Sequence, residues 1–559
     1  MATLSNKALF FTTSPRSPEK MLPEIQLLCE VFMSQSWDKT TQKAFMDELE
    51  KSDFFEGSGS AKEKDFAARD RITRAPKALG FVDLKPKIQL TEAGRELIYG
   101  KRPQEVFLRQ LLKFQIPSPF HSEHKNISGT FYVRPYLEIM RLVFDLEYLT
   151  FDEFKIFAIQ LTDYRKYEIV KNAILSFREE KENRRGKYKL FVNEEWERAI
   201  RKIYNDKIYA GEIRTRQKKN SNLKEFIQTK KGTMRDYADA CFRYLRFTGL
   251  FAFKGRSLIV SPDKIMEASH VLETVDRNPV HTHDMKQYTK HLFCVENPVL
   301  YADNKENLIG ILMRLTSSTR RELSDLDLNA LKDLRDDTIN EKRNALVREQ
   351  EKQLKSYDLY QEVVDTFNEI ISDEIYDAPL FLEWNAWRAM TMINGGRIKG
   401  NFKIDDLGHP MSTAPGNMPD IECDYGDFSL SVEVTLQSGQ RQYETEGEPV
   451  SRHYGQLLKR SGKVTYCLFV APTINPASLA HFFVTNKTDI AYYGGKTRII
   501  PLELDQFMRL VESSYSYPTH PCPSDIRSFL DAAISQLDVA QSEQDWKEKI
   551  GICVDSWLT

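Results

Sequence analysis

The sequence predicts a multidomain α+β protein, with two small modules of helix and β-hairpin, a long helical region and a C-terminal α/β domain containing a mixed sheet. Length is the first observation, because 559 residues exceed what one hydrophobic core normally holds. The second is a change of pattern along the chain, from helices interrupted by short strands, through charged helix, to strands that alternate with helices. We place the segments at residues 1–140, 141–285, 286–375 and 376–559.

The composition is that of an ordinary globular protein, with 41% hydrophobic and 29% charged residues. The net charge is only −2, so any contact with nucleic acid must come from a local basic patch. Seven cysteines without CxxC spacing favour a reducing compartment over a zinc ribbon or a disulfide framework. We find no signal peptide and no run of about 18 apolar residues, so we expect no membrane span and a cytoplasmic location.

The first segment contains a helix, a hairpin and a second helix between residues 66 and 99. The run ARDRI from Ala68 predicts the first helix, and GFVDLKPKIQL predicts two short strands around a turn at residues 85–87. Thr91 is predicted to cap the following helix, with Gly94 in its first turn. This order is typical of a winged helix, which places a helix in the DNA major groove and the hairpin on the backbone.

Charged side chains in this segment are candidates for DNA contacts. They lie either at helical spacing after Ala68 or in the extended stretch TSPRSPEKM from Thr13, and they are Arg16, Lys20, Arg69, Asp70, Arg71, Arg74 and Lys77. An arginine can donate two hydrogen bonds to guanine, whereas lysine suits phosphate. Asp70 could orient its neighbours or accept a hydrogen bond from cytosine. The alternative is a set of solvated charges beside a rigid helix start.

The second segment carries the strongest local positive charge. Residues 201–260 contain fifteen Lys or Arg against five Asp or Glu. Thr150 is predicted to cap an amphipathic helix, and a later helix should stop at Gly249 before a hairpin that turns at residues 254–256. We interpret this as a second winged-helix-like module, with Arg243 and Arg246 as candidate DNA contacts. Core positions near them are predicted at Phe242, Leu245 and Leu250.

The middle of the chain contains two other features, a pair of histidines and a long charged region. His281 and His283 have an HxH spacing, but no third ligand stands nearby in the sequence, so an exposed loop is favoured over a metal site. Residues 303–375 alternate apolar and charged positions at helical intervals. This helical linker is expected to connect the two N-terminal modules with the C-terminal domain and to cover the core of that domain.

A hairpin near the C-terminal domain's centre places two carboxylates side by side. Residues 421–425 and 428–435 are predicted to pair around a turn at Gly426 and Asp427. Alternation along the second strand puts Glu433 on the face opposite its apolar residues and next to Asp420. Such a pair suits a hard cation such as Mg²⁺. The alternative is a solvated hairpin.

The remaining C-terminal elements predict a mixed sheet flanked by helices. FLEWNAWRAMTMI is expected to form an amphipathic helix that carries Glu383, and HYGQLLKRSG a second helix. The apolar run VTYCLFVAP predicts a central buried strand, and TRIIPLELDQFMRL a strand followed by a helix. Glu446, Arg452 and His453 fall in the connection after the hairpin.

Seven stretches of the chain, in order along almost its whole length, resemble the AlwI family of type IIS restriction endonucleases. They are TSPRSPEKM, ARDRITRAPKALGFVD, QLTEAG, EWNAW, TAPGNMPDIE, VEVT and VSRHYG. The resemblance implies a PD-(D/E)xK nuclease domain at residues 376–559. The catalytic residues that it implies are Glu383, Asp420, Glu433, Glu446 and His453, with Asp420, Glu433 and Glu383 as Mg²⁺ ligands.

One position departs from the wider nuclease pattern. The usual lysine two residues after the second acid is Thr435 here, so the role of that lysine is unassigned. His453 or Glu446 are candidates to orient the attacking water.

The resemblance also implies an activity and partners. A type IIS enzyme binds a short asymmetric site in double-stranded DNA and cuts at a fixed distance outside it, leaving 5′-phosphate and 3′-hydroxyl ends. We expect a monomer that dimerises transiently through its nuclease domain, a cognate DNA methyltransferase and a prokaryotic cytoplasm. The alternatives are a strand-specific nicking enzyme, a non-catalytic winged-helix regulator and an enzyme acting on RNA or repair intermediates.

Overall fold

A computed structural model describes residues 7–52, 54–55, 63–121, 131–184, 188–215, 221–393, 395–415 and 417–558. The chain divides into two compact units, Met1–Lys51 with Ser60–Thr338, and Ser52–Gly59 with Ile339–Thr559. The predicted segments 1–140 and 141–285 therefore fall almost entirely in the first unit, and 376–559 falls in the second. The predicted linker, 286–375, is shared between them.

The first unit is mainly helical. Its helices are α1 (Met21–Phe32), α2 (Lys39–Lys51), α3 (Lys64–Thr73), α4 (Ala75–Ala78), α5 (Glu92–Tyr99), α6 (Pro103–Lys113), α7 (Pro135–Asp145), α8 (Phe151–Ile156), α9 (Tyr167–Asn183), α10 (Tyr188–Ile203), α11 (Asn205–Tyr209), α12 (Leu223–Phe247), α13 (Ile265–Thr274), α14 (Met285–Phe293), α15 (Lys305–Leu315) and α16 (Arg320–Ser324). Its strands are β1 (Val82–Asp83), β2 (Gln89–Leu90), β3 (Tyr148–Thr150), β4 (Phe251–Lys254) and β5 (Ser257–Val260). The next helix, α17 (Leu328–Lys355), contains the unit boundary.

The predicted order of helix, hairpin and helix in the first segment is confirmed. Strands β1 and β2 pair antiparallel with Val82 opposite Leu90. Thr91 caps α5, because its Oγ1 accepts the backbone N–H of Gly94 at 3.0 Å. A Cβ at Gly94 would lie 2.0 Å from the carbonyl oxygen of Phe81, so the hairpin and α5 can approach this closely only with glycine there. The winged-helix assignment itself stays a prediction.

The second segment also has the predicted local structure. Thr150 and Glu153 form a reciprocal capping box at the start of α8. Helix α12 ends at Phe247, and Gly249 follows with a φ of +74°. The β4–β5 hairpin then pairs Lys254 with Ser257, and β3 adds to β5 in a three-stranded sheet. The predicted core residues are Phe242, Leu245 and Leu250, and all three are buried.

The second unit is built around a five-stranded sheet. Its strands and helices after α17 are α18 (Tyr360–Ile371), α19 (Ala378–Ile393), β6 (Arg397–Gly400), β7 (Lys403–Ile404), β8 (Pro410–Ser412), β9 (Ile421–Asp424), β10 (Phe428–Val434), α20 (Gln440–Ser461), β11 (Val464–Ala471), α21 (Pro476–Lys487), β12 (Ile499–Glu503), α22 (Leu504–Ser516), α23 (Pro523–Val539) and α24 (Glu543–Asp555). Strands β7 and β8 form a separate pair.

The sheet has the order β12-β11-β10-β9-β6 and is mixed, as predicted. Strand β10 is antiparallel to β9 and parallel to β11, and β11 is parallel to β12. The run VTYCLFVAP contains β11, which lies between two strands and is buried from Thr465 to Ala471. A strand surrounded in this way must be apolar on both faces, which is why its sequence shows no alternation.

Two sequence-based expectations about helices are wrong. Helix α19 is not amphipathic, because every residue from 380 to 393 is buried; α18, α22 and β6 pack around it. Two of its buried polar side chains have partners: Arg388 pairs with Glu362, and the Asn385 amide donates to the carbonyl of Val363 at 2.9 Å.

Helix α20 begins at Gln440, well before the predicted HYGQLLKRSG stretch. Glu446, Arg452 and His453 therefore lie on a helix and not in a connection. Pro449, a residue type that usually ends a helix, lies inside α20. No helix among the described residues is long and apolar enough to cross a membrane.

Candidate active site

The C-terminal unit brings together the carboxyl groups of Asp420 and Glu433. Asp420 directly precedes β9, and Glu433 lies on β10, the antiparallel neighbour of β9. The Oδ2 atom of Asp420 accepts the backbone N–H of Val434 at 2.8 Å. The hairpin predicted from the sequence is confirmed, and its two acids face the same region.

The face of β10 that carries Glu433 is buried, not solvated. Ser431 is fully buried, Glu433 is 6% exposed and Thr435 is 8% exposed. Helix α20 packs on this strand. The alternative of a solvated hairpin is therefore excluded for Glu433, although Asp420 keeps partial exposure.

Glu383 approaches the pair from α19. It is 8% exposed, and its Oε2 accepts the backbone N–H of Ala414 at 3.1 Å. Burial and the neighbouring charge of Asp420 raise the pKa of Glu383 well above its usual value, and Glu433 adds to the rise. The three acids that the resemblance implied thus influence one another, as expected for one site.

Helix α20 supplies Glu446 and His453 on the same side of the sheet. The Nδ1 atom of His453 lies 2.9 Å from Oε1 of Glu433. Thr435, at the position of the usual lysine, donates its hydroxyl to Oε1 of Glu446 at 2.9 Å. Glu446 and His453 are seven positions apart, which is about two helical turns, so both side chains reach neighbouring points of β10.

The electrostatic state of this cluster is unusual. Burial raises the pKa of Asp420 and of Glu433 well above the usual range, and each is raised further by a neighbouring acid. Burial also raises the pKa of Glu446, although hydrogen bonds from Thr435 and Thr445 and the nearby His453 partly offset it. Like charges that share a buried site disfavour ionisation. The cluster is thus short of positive charge.

The donor atoms of this cluster are carboxylate oxygens, which can be compared with the ligands that Mg²⁺ requires. Carboxylate oxygens are the ligands that Mg²⁺ prefers, and the ion usually takes one or two carboxylates and completes its shell with water and substrate phosphate. Asp420 and Glu433 satisfy that requirement. Among the described residues, no group of three or more His, Cys, Asp or Glu side chains is arranged to hold a metal ion. The residues present fit an open two-carboxylate site better than a closed three-ligand cage, and the ligand role of Glu383 stays a prediction.

Sequence reasoning missed one contact at this site. Arg452 on α20 donates from Nη1 to the side-chain oxygen of Asn417, three residues before Asp420. Its Nε also pairs with Glu448 at 3.2 Å. The signal was present in the stretch VSRHYG, where Arg452 directly precedes His453, but the contact with Asn417 depends on the chain reversal between β9 and α20.

Several predicted DNA-binding residues of the N-terminal unit are held by acids of that unit. Arg71 pairs with the buried carboxylate of Glu24, and Arg74 pairs with Asp70 at 3.0 Å. Arg16, whose side chain is half exposed, lies 3.0 Å from Asp236 on α12. Arg243 lies 3.2 Å from Asp239. These pairs position the side chains, and their predicted contacts with DNA are not tested.

Other predicted contacts differ in their exposure. The guanidinium of exposed Arg69 lies 4.9 Å from the ring centroid of Phe66, and the amine of Lys77 lies 5.1 Å from that of Phe120. Lys20 ends a 3-10 helix and is partly exposed. Arg246 is only 3% exposed and lies over Phe253, so a DNA contact would require this side chain to leave the core. His281 and His283 are exposed, as expected.

Comparison with known proteins places the chain among the restriction endonucleases. The matching family is described as AlwI restriction endonuclease, and its model covers residues 77–510, which is more than half of the chain. The chain therefore belongs to the AlwI restriction endonuclease family, as the sequence resemblance predicted. No curated protein matches.

Solved structures with some similarity include two from restriction enzymes. The small subunit of the heterodimeric restriction endonuclease R.BspD6I is 27% identical and matches 36% of this chain and 100% of its own, with a TM-score of 0.31. The DNA-binding domain of the BpuJ1 endonuclease, in complex with modified DNA, is 13% identical and matches 49% of this chain and 90% of its own, also with a TM-score of 0.31. A TM-score of 0.31 is too low for either structure to support an argument about the site.

Proposed function

We propose that this member of the family is a type IIS restriction endonuclease that binds a short asymmetric site in double-stranded DNA and cuts at a fixed distance outside it. The observation that carries the proposal is the group of Asp420, Glu433, Glu383 and Glu446, in which Glu433 and Glu383 are buried and burial and neighbouring acids raise the pKa values. Maintaining such a group costs stability, and a cation-dependent reaction gives a reason for it.

The acids have distinct tasks in this proposal. Asp420 and Glu433 hold Mg²⁺, and Glu383 supports them from α19. The ion, when bound, supplies charge stabilisation at the scissile phosphate and lowers the pKa of a water. His453, hydrogen-bonded to Glu433, and Glu446, held by Thr435, orient the attacking water on the α20 side. Hydrolysis leaves 5′-phosphate and 3′-hydroxyl ends.

Recognition is assigned to the N-terminal unit. Its two helix-and-hairpin modules support a winged-helix mode of DNA binding. Separation of recognition from cutting gives a fixed offset between the site and the break. One catalytic centre cuts one strand, so double-strand cleavage requires transient dimerisation through the nuclease domain, and a chain that does not dimerise nicks. A cognate methyltransferase is expected to protect the host DNA.

Plasmid cleavage tests the proposal. Plasmid DNA is incubated with the protein in Mg²⁺ or in EDTA, and both strands are mapped by run-off sequencing. We expect discrete ends at a constant offset from one short motif, in Mg²⁺ only. Ends unrelated to sequence, or an uncut plasmid, would refute the proposal.

A matched pair of variants links cleavage to the cluster. Asp420→Asn keeps an acceptor for the Val434 N–H but removes the charge, and it should bind DNA without cutting. Glu422→Gln changes a carboxylate two residues away that pairs with Arg460 at 2.8 Å, and it should cut normally. Equal loss in both variants would mean that the hairpin fold, and not the charge of Asp420, is what matters.

A further inference from the structure

Besides the proposed Mg²⁺, the site lacks the lysine that would place a positive side chain near the substrate phosphate. A DNA phosphate carries negative charge and must approach a cluster whose members already repel one another. Thr435 occupies the position where related nucleases carry lysine, and its hydroxyl is used on Glu446. In addition to the proposed Mg²⁺, a positive side chain from another element could take over the phosphate contact that the lysine makes in related nucleases.

Arg452 lies where such a side chain is needed. It precedes His453 on α20, and His453 contacts Glu433. The positive charge of Arg452 lowers the pKa of Glu433 and so partly offsets the effect of burial there. Its side chain is 25% exposed, so it borders the cluster and still reaches solvent.

The present partners of Arg452 are ones that a phosphate can replace. One is the neutral side-chain oxygen of Asn417, and a charged phosphate oxygen is a stronger acceptor for guanidinium. The other is Glu448, one helical turn away at 3.2 Å, whose side chain is 49% exposed. Exposed pairs of this kind contribute little free energy, so exchanging them for a phosphate costs little.

We propose that Arg452 positions the scissile phosphate in this nuclease site, exchanging Asn417 for a phosphate oxygen when DNA binds. Its planar fork then supplies the charge that lysine supplies in related enzymes. The inference rests on the proposed function and names a residue of that same site. The competing explanation is that Arg452 only tethers the segment before Asp420 through Asn417.

Three variants separate these explanations. Arg452→Ala removes the guanidinium, and Asn417→Gly removes the side-chain oxygen that the guanidinium contacts; glycine also tolerates the positive φ of +65° at position 417. Arg460→Ala is the matched control on the same helix, because Arg460 pairs with Glu422 and its side chain is 51% exposed. Single-turnover cleavage is measured for each, with and without added guanidinium chloride, against equal sodium chloride.

We expect Arg452→Ala to slow cleavage by about 100-fold, the cost of removing one well-placed donor to a developing charge, and guanidinium to restore part of the rate. Asn417→Gly and Arg460→Ala should stay within about threefold of the wild type, less than 1 kcal/mol in the barrier, without rescue. DNA binding in EDTA gives a readout independent of cleavage. There the slope of log affinity against log salt should fall by about 0.9 in Arg452→Ala, as for one lost phosphate contact.

The inference is overturned if Arg452→Ala cuts at the wild-type rate, if its salt slope is unchanged, or if Asn417→Gly loses as much activity as Arg452→Ala. Failure of the proposed function is distinct, because the wild type itself would then leave the plasmid intact. In that case the proposed role of Arg452 is refuted together with the proposed function.

Discussion

Two regions of the molecule contain clustered acids, and they differ in how the charge is balanced. In the N-terminal unit, the acids pair with buried cations at 2.6–3.0 Å. Glu105 contacts Lys332 and Arg335. Asp303 contacts Lys332 and Arg109. Burial alone would raise the pKa of Glu105, but Arg335 and Lys332 outweigh it and lower that pKa. The pKa of Asp303 is lowered in the same way by Lys332 and Arg109.

In the C-terminal unit, Glu433 and Glu383 are buried and Asp420 is partly exposed, no comparable set of cations pairs with them among the described residues, and the pKa values of all three are raised. This difference in charge balance distinguishes a structural cluster of acids from a functional one. A cluster balanced within the chain stabilises packing, whereas an unbalanced cluster awaits charge from outside, as active sites do.

The largest effect is expected on cleavage. Asp420→Asn removes one charge from the unbalanced cluster and should reduce the cleavage rate by at least about 1,000-fold, because it removes several kcal/mol of charge stabilisation. Thermal unfolding in EDTA should show a midpoint equal to or above that of the wild type, since a buried repulsion is relieved. A variant that loses both folding and cleavage would contradict the assignment of this cluster to function.

The balanced cluster should respond in the opposite way. Arg335→Ala leaves Glu105 with less compensation and should lower the free energy of unfolding by about 3 kcal/mol, the cost of breaking a buried pair. Urea denaturation measures this, and Arg335→Lys, which keeps the charge, should lose less. Cleavage per folded molecule should be unchanged by either substitution.

The same contrast separates two neighbouring arginines of α3. Arg71 is paired with buried Glu24, whereas exposed Arg69 makes no ion pair within the described residues. Arg69→Ala should weaken DNA binding by about tenfold, as for one lost contact, and leave the unfolding midpoint unchanged. Arg71→Ala should lower the midpoint. Binding isotherms and thermal melts of both variants test this, and an inverted pattern would refute it.

The smallest effect is expected in the dependence of stability on pH. For a carboxyl whose pKa is raised on folding, stability is fully present below the unfolded value and is lost as pH rises through the folded value. Asp420, with an ordinary value of 3.8, is such a group. In EDTA the wild type should therefore lose more stability than Asp420→Asn between about pH 5 and about pH 8. Parallel curves for the two proteins would contradict the raised pKa.

Local signals in the sequence predicted much of the fold. The caps at Thr91 and Thr150, the stop at Gly249 and the β9–β10 hairpin are all present because a few adjacent residues determine each of them. The predicted buried strand also holds, since β11 is apolar on both faces.

The failures come from tertiary structure. The connection expected at Glu446, Arg452 and His453 is instead part of α20, which continues through Pro449. An amphipathic α19 was expected, but its residues 380–393 are all buried, and there Arg388 pairs with Glu362 and the Asn385 amide donates to the carbonyl of Val363. At the site, the alternation of side chains along β10 predicted that Glu433 lies next to Asp420. The approach of Arg452 to Asn417 depends on how α20 returns over the sheet, which no local pattern encodes.

The central claim is that the unbalanced carboxylates await a divalent cation, and a calorimetric titration tests it most directly. Wild type and Asp420→Asn are titrated with Mg²⁺ in two buffers of different ionisation enthalpy, so that binding and proton exchange are measured together. We expect the wild type to bind Mg²⁺ and release protons, because carboxyls with raised pKa must ionise to coordinate the ion, and Asp420→Asn to bind far more weakly. Identical titrations of the two proteins, or binding without proton release, would contradict the claim.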